Sequence, residues 1–252
     1  AMSRQRRSCY GFSHEPLSRA DLLALLASYA VSCEAADSAD GAPHRAVPSG
    51  GGLYRLSLFI VLLRPLEATL PAGLWRIEYL EAGGIALHRL KAEDSTFLDM
   101  AYRACLAPHN LDGASAWLVL CADLAVIAAK YRNRAVGHAY LEAGAVMQNL
   151  ALIAAERGLG QLPLSAFDEA RVAALFDLAD QVPLISVVLG KPLPAQARRK
   201  TARRVRWTQT LSGLPHHLAI AWPQNDSPQG PSNICFGRDT QALRAYQKAM
   251  CE

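Results

Sequence analysis

A lysine and a tyrosine stand side by side at residues 130 and 131, in the stretch AAKYRNRA between two apolar runs. A lysine amine or a tyrosine hydroxyl positioned near a reacting carbon can accept a proton. Arg132 and Arg134 follow directly, and their positive charge would favour the neutral form of the amine. Lys130 and Tyr131 are therefore candidate proton acceptors. Taken alone, the two residues are more typical of an ordinary pair at the start of a helix, with the lysine solvated and the tyrosine half-buried.

A second candidate is the glycine-rich stretch HRAVPSGGGLY, residues 44–54. Consecutive glycines allow the backbone to approach a flat ligand closely, and Ser49 adds a hydroxyl group. The stretch matches neither the Walker nor the dinucleotide pattern, because it precedes a strand rather than opening a helix. A plain turn explains this composition as well as a binding site does.

The elements that must position these residues mix helices and strands without strict alternation, which favours an α+β fold. Ser18 with Asp21 predicts a capped helix over 18–31, and Ser165 with Asp168 predicts another up to residue 179. Residues 137–157 predict a helix that is apolar nearly all round and so must be covered, for example by a dimer partner. Further segments are predicted as strands or helices: strand 53–63, hairpin 74–90, helix 95–106, strand 117–121, strand 182–190, strand 216–222 and helix 239–249.

Composition excludes several classes of protein. The chain has 252 residues and a net charge of +4, and no apolar run is long enough to span a membrane. The basic N-terminus lacks the apolar segment of a signal peptide. No CxxC pattern indicates a metal, so no metal site is expected, and the six cysteines are interpreted as free thiols.

Six of the 26 Lys and Arg residues lie between residues 197 and 206. Such a run is a solvated face, or it binds a phosphate or an acidic peptide. No aromatic platform accompanies it, so nucleic acid is not an expected partner.

Four segments, in order, resemble the SagB-type branch of the nitroreductase superfamily. The loop Pro48-Ser-Gly-Gly-Gly-Leu-Tyr54 is similar to its flavin loop. Residues 141–160, with Glu142, Gly144, Gln148, Asn149, Gly158 and Gly160, resemble its central helix. Residues 164–168 resemble its second flavin segment, and residues 183–192 its last core strand.

The resemblance implies an FMN-binding α+β fold, in which helices flank a central, mainly antiparallel sheet and two subunits form a homodimer with flavins at the interface. Residues 1–206 would form this domain. Residues 207–252 would be an extension packed on the same domain or on the partner subunit. The resemblance assigns these residues to the flavin: Arg45, Ser49, Gly50, Gly51, Ser165 and Ala166, with Arg199, Lys200 and Arg203 as candidates for its phosphate.

Within this superfamily, Lys-Tyr ahead of the helix glutamate resembles the microcin-type azoline dehydrogenases. This resemblance implies FMN-dependent oxidation of peptide thiazolines and oxazolines to thiazoles and oxazoles, with Lys130 and Tyr131 removing the proton. It also implies a ribosomally made precursor peptide, a YcaO-type cyclodehydratase, an E1-like partner protein and a bacterial cytoplasmic setting. The alternatives are an NAD(P)H-dependent nitro or quinone reductase and a scaffold subunit. Glu142 is expected to be a structural partner, for example of an arginine, rather than a catalytic residue, and His138 to be a surface or structural residue rather than a ligand.

Overall fold

The computed structural model describes residues 5–33, 42–80, 84–92 and 94–194. The basic run after residue 197, with Arg199, Lys200 and Arg203, lies outside the described residues. So do the strand predicted at 216–222, the helix predicted at 239–249 and the whole predicted extension from residue 207. These expectations stay predictions.

Six strands form one sheet in which every neighbouring pair is antiparallel. In chain order the strands are β3 (Leu56–Leu62), β4 (Gly73–Tyr79), β5 (Ile85–Ala92), β6 (Ala116–Ala122), β7 (Gly160–Leu164) and β8 (Val182–Gly190). Their spatial order is β5-β4-β3-β6-β8-β7. Two short strands, β1 (Val31–Cys33) and β2 (His44–Arg45), form a separate antiparallel pair beside the sheet. The predicted α+β architecture is confirmed.

Helices cover both faces of the sheet. They are α1 (Arg19–Leu26), α2 (Ser95–Ala104), α3 (Leu124–Tyr131), α4 (Ala135–Glu156) and α5 (Glu169–Phe176). The alternation of side chains along β3 shows why two layers form, since Leu58 and Ile60 enter the core with α1 and α4. Phe59 and Val61 enter the opposite core with α2 and α5. A strand that is apolar on both faces requires a helical layer on each side.

Helix α4 is the longest helix of the described residues, at 22 residues, or about 33 Å. Its inner face consists mainly of small residues, and Ala139, Ala143 and Ala154 are buried against the sheet. The helix ends where Gly158 adopts the left-handed conformation (φ 68°), as the sequence predicts. Its outer face is exposed in the described part of the chain, where Leu141 is 73% exposed and Tyr140 46%.

Several predicted boundaries are wrong. Ser165 does not cap α5, because the side chain of Asp168 accepts the Arg171 N–H and the helix begins at Glu169. That helix ends at Phe176, since Asp177 adopts the left-handed conformation. The sequence interpretation also missed β7, which is only five residues long and follows the α4 terminus at once. Predicted helix 18–31 is shorter, although its cap Ser18 accepts the Asp21 N–H as expected.

Phe12 fastens the N-terminal segment to the edge of the sheet. Its ring is 3% exposed and lies over Gly160 and Gly190, which face each other in the β7–β8 ladder. A Cβ added at Gly190 would lie 2.8 Å from Phe12 Cδ1 and 3.2 Å from the backbone nitrogen of Ser115. The two glycines therefore make room for the phenylalanine ring.

We expect Gly190→Ala to lower the free energy of unfolding by about 1–3 kcal/mol, because the added methyl group overpacks this contact. Urea denaturation measures the effect. Adding Phe12→Leu to Gly190→Ala should restore part of the loss, since the smaller side chain vacates the ring position. Equal stability of Gly190→Ala and the wild type would contradict this packing.

Candidate active site

A sharp break separates α3 from α4. A single 3-10 turn, Arg132–Arg134, joins the two helices. Arg132 has φ 50° and ψ −127°, a backbone conformation that costs a residue with a side chain on the order of 1–3 kcal/mol. The break leaves Lys130 and Tyr131 at the C-terminal end of α3, instead of inside a continuous helix.

The glycine-rich loop lies directly against this break. Gly51 and Gly52 have φ values of 59° and 65°, which favour glycine. A Cβ added at Gly51 would overlap Lys130 Nζ and lie 2.5 Å from Tyr131 Oη. At Gly52 the same atom would meet nothing within 4 Å. The structure thus brings the two motifs predicted separately from sequence into contact, and one side of the loop stays open.

Glu142 anchors the loop to α4. This carboxylate is 4% exposed and accepts hydrogen bonds from Tyr29 Oη and Ser49 Oγ, both at 2.5 Å. Ser49 Oγ also accepts the Tyr54 N–H at 3.0 Å. Glu142 is a structural partner, as predicted, but its hydrogen-bond donors are two hydroxyl groups and not the suggested arginine. The Ser49 hydroxyl is therefore engaged in holding the loop in place.

Two turns further along α4, Asn149 fixes the chain that leads into the loop. Its Nδ2 donates to the carbonyl oxygen of Ala46 at 2.8 Å. Residues spaced seven apart lie on one face of a helix. Glu142 and Asn149 therefore hold the residues before and within the loop from the same face of α4.

Arg45 lies among three tyrosine rings. Its guanidinium carbon is 4.5 Å from the ring centre of Tyr29, 5.1 Å from that of Tyr79 and 5.7 Å from that of Tyr54. Arg45 also donates to the carbonyl oxygen of Tyr29 at 3.0 Å. These contacts make Arg45 a support for Tyr29, while its predicted contact with a flavin stays a prediction.

Burial strongly raises the pKa of the Tyr29 hydroxyl, and the neighbouring carboxylate of Glu142 raises it further. Tyr29 therefore stays protonated and donates its hydrogen to Glu142. Burial also raises the pKa of Tyr79, whose hydroxyl donates to the carbonyl oxygen of Leu26 at 2.8 Å. These phenols are structural hydrogen-bond donors and not proton acceptors.

Ser165 and Ala166 lie in a different part of the chain, directly after β7. The carbonyl oxygen of Ala166 accepts the Leu106 N–H at 2.9 Å, and Asp168 N donates to the carbonyl oxygen of Ala104 at 2.8 Å. These bonds tie the segment to the end of α2. Strand β7 lies three positions from β3 in the sheet, on the order of 14 Å away. One chain therefore holds the predicted flavin residues in two separate groups.

Sequence comparison decides the family. The model described as the nitroreductase family matches residues 3–191, well over half of the chain. The chain belongs to the nitroreductase family. No curated protein sequence matches this nitroreductase.

Solved structures share its fold at low sequence identity. One is the Escherichia coli microcin synthetase McbBCD complex with truncated pro-MccB17 bound. Its TM-score is 0.61 at 23% identity, over 74% of this chain and 69% of that chain. Another is a protein assigned as a nitroreductase from Ralstonia eutropha JMP134, with a TM-score of 0.60 at 23% identity, over 77% and 82% of the two chains. A third, from Desulfovibrio desulfuricans, was solved in complex with FMN, with a TM-score of 0.50 at 18% identity, over 77% and 85%.

The nitroreductase also has a cavity of about 260 Å³ at the other end of α4, which the sequence interpretation missed. Arg7 and Ser8 line it together with the turn Gly158–Gln161. Gln161 is 2% exposed, and its Oε1 has no hydrogen-bond partner among the described residues, which is costly for a buried polar atom. The available signal was the pair Arg6-Arg7 directly before Ser8. Among the residues that the structure describes, no helix has the length and apolar character needed to cross a membrane.

Tyr29→Phe should destabilise the protein by about 1–3 kcal/mol at pH 8, because a buried carboxylate loses a donor. The raised pKa also predicts a pH effect. The contribution of Tyr29 is fully present below about pH 10, the pKa of an unfolded tyrosine. It is lost as the pH rises above that value, since only the unfolded chain then releases the proton.

Guanidinium denaturation at pH 8 and above pH 10 checks this. The decline of stability with pH should be smaller in Tyr29→Phe than in the wild type, and Tyr79 accounts for part of what remains. Tyr10→Phe, at a tyrosine that is 74% exposed, is the matched control. It should leave unchanged both the free energy of unfolding at pH 8 and its decline above pH 10. Identical pH profiles for Tyr29→Phe and the wild type would contradict the buried bond.

Proposed function

We propose that this nitroreductase is an FMN-dependent dehydrogenase that oxidises thiazolines and oxazolines of a peptide to thiazoles and oxazoles. One observation carries the proposal. Lys130 Nζ and Tyr131 Oη converge on Gly51, in the loop that resembles a flavin loop. A proton acceptor beside a flavin suits the oxidation of a carbon acid, whereas reduction of a nitro group or a quinone needs no such base.

Aromatisation of an azoline breaks two C–H bonds. FMN, when bound, supplies the acceptor for the hydride. The protein must accept the other hydrogen as a proton, and we assign this role to Lys130 and Tyr131. Both side chains reach the same point at Gly51, so that either can take the proton or hold the ring in place. Arg132 and Arg134 are exposed next to them and add positive charge to this edge.

The residues present fit FMN in two respects. Among the described residues, nothing fills the space beside Gly52, where a flat ring can approach the backbone. Arg7 lines the cavity near the C-terminal end of α4, and a guanidinium suits a phosphate. We therefore propose Arg7 as a phosphate contact beside the predicted Arg199, Lys200 and Arg203, and keep Arg45, Ser49, Gly50, Gly51, Ser165 and Ala166 as proposed flavin contacts.

A homodimer would bring the loop of one subunit together with the cavity of the other. The loop contacts α4 at His138 and Glu142, and the cavity is lined by Ala151, Ala154 and Ala155, about 14–26 Å further along the helix. Two copies related by a twofold axis, with their α4 helices antiparallel, would bring the loop of one next to the cavity of the other. The exposed outer face of α4, with Leu141 and Tyr140, would be the contact.

The proposed partners are a precursor peptide, a YcaO-type cyclodehydratase and an E1-like protein. The shared fold with the microcin synthetase complex, solved with a truncated pro-peptide bound, supports this setting. We propose the bacterial cytoplasm as the compartment, in agreement with the free thiols of Cys9, Cys105 and Cys121.

The double variant Lys130→Ala/Tyr131→Ala should retain FMN but lose azole formation by about 10²- to 10⁴-fold, the usual contribution of a positioned acid or base. Mass spectrometry of a cyclised peptide measures the loss of about 2 Da per ring, the mass of two hydrogens. The matched control is Lys191→Ala/Tyr10→Ala, which should oxidise the peptide at the wild-type rate. Lys191 donates to Glu15, and Tyr10 is exposed.

Three results would contradict the proposal in different ways. Wild-type azole formation by Lys130→Ala/Tyr131→Ala would refute the assignment of the base. Loss of azoles only when the synthetase complex dissociates would indicate a scaffold subunit. A wild-type flavin that NADPH reduces rapidly, with no azole formed, would indicate a nitro or quinone reductase.

Leu141→Glu should convert the dimer to a monomer and release FMN, because a charge is placed in the centre of the proposed contact. Light scattering coupled to size-exclusion chromatography, with flavin absorbance, reports both. Leu90→Glu, at a leucine of β5 that is 45% exposed, is the matched control and should stay dimeric. A monomeric wild type with full flavin occupancy would refute the shared site.

A further inference from the structure

His138 is the side chain that completes the contact between α4 and the loop. It lies on α4 one turn before Glu142 and is half-buried. A Cβ added at Gly50 would lie 2.8 Å from His138 Nδ1. Its ring centre is 4.1 Å from that of Tyr131, with the planes tilted by 37°. The imidazole therefore touches both the loop and the tyrosine of the proposed catalytic pair.

Three successive loop residues meet three successive groups of the helical segment. Ser49 is held by Glu142, Gly50 faces His138, and Gly51 faces Lys130 and Tyr131. His138 thus occupies the middle of the contact. Lys130 Nζ lies 5.6 Å from the centre of the Tyr131 ring, so the tyrosine ring has the amine and the imidazole as its neighbours.

A metal-binding role does not suit His138. No group of three or more His, Cys, Asp or Glu side chains that could hold a metal occurs in the described ranges between residues 5 and 194. Its contacts are a ring and a glycine, which are packing contacts. Offset stacking between aromatic rings restricts both rings without a chemical step.

We propose that His138 is a positioning residue for the Lys130–Tyr131 pair. By stacking on Tyr131 and closing against Gly50, the imidazole holds the phenol so that its Oη and Lys130 Nζ stay together at Gly51. This inference rests on the proposed function for its kinetic consequence, although the stacking itself is a property of the folded chain.

The test compares His138→Ala, His138→Phe and the wild type at equal FMN content, with a synthetic peptide containing a thiazoline as substrate. His138→Ala should lower kcat about tenfold, which corresponds to about 1.4 kcal/mol, with KM changed less than about twofold. Deuterium at the ring carbon that loses the proton should give a larger isotope effect in His138→Ala. His138→Phe should restore most of the rate, because it keeps the stack. His88→Ala is the matched control and should have the kcat and KM of the wild type. His88 lies on β5, and its partly exposed side chain pairs with Glu78 of β4.

A second measurement does not depend on activity. In protein labelled with ring-¹³C tyrosine, the Tyr131 signal is identified by its absence in Tyr131→Phe. His138→Ala should shift this signal, because the ring current of an imidazole whose centre lies 4.1 Å from the Tyr131 ring is removed. His138→Phe should shift it less, because an aromatic ring remains at that position. If the wild type oxidises no thiazoline, the proposed function fails while this spectrum still decides the stacking.

Three outcomes would overturn the inference. The first is a wild-type rate in His138→Ala. The second is a His138→Phe variant no faster than His138→Ala, because stacking alone would then not be what His138 contributes. The third is an unchanged Tyr131 signal in His138→Ala, which would show that the two rings do not stack in solution.

Discussion

The candidate site depends on one buried carboxylate. Glu142 is surrounded by protein and has hydroxyl groups as its hydrogen-bond donors, from Tyr29 and Ser49. A buried charge is costly unless such bonds compensate for it. Each donor connects a different element to α4, since Tyr29 follows α1 and Ser49 lies in the loop before β3. Removing this carboxylate would therefore break the side-chain hydrogen bond that holds Ser49 of the loop to α4.

The strain at Arg132 makes sense beside this anchor. Without the break, α3 and α4 would form a single helix through residues 124–156. The directions of the Lys130 and Tyr131 side chains would then follow from the regular rotation of that helix. The turn at Arg132–Arg134 separates the two helices, and the Tyr131 ring then lies within reach of both Gly51 and His138. Backbone strain of this kind persists only where surrounding contacts determine the conformation. Here the contacts on the two sides of the break are those of Lys130 and Tyr131 with Gly51 and of His138 with Gly50.

The sequence predicted those parts of the fold that local patterns determine. Each correctly predicted element is periodic or carries a turn residue. The structure confirms the type of element predicted for the helix that ends at Gly158, for the β4–β5 hairpin and for the apolar strands β3, β6 and β8. Strand β7 and the α3–α4 break were missed, because five residues carry little periodicity and the strain at Arg132 is imposed by tertiary contacts. Asp168 displaced Ser165 as the cap because β7 and the end of α2 fix the backbone before it.

The site shows the same division between local pattern and tertiary contact. Glycines in a row and a Lys-Tyr pair are visible in sequence, but their contact depends on side chains that are 93 residues apart, such as Ser49 and Glu142. No spacing rule could identify two hydroxyl groups as the partners of Glu142. The same reasoning explains why the sequence left open whether His138 is a surface or a structural residue. A histidine on an apolar helix has no distinctive pattern, and only the fold brings Gly50 and Tyr131 against it. The geometry of the candidate site is therefore determined by the face of α4 that contacts the two motifs as well as by the motifs themselves.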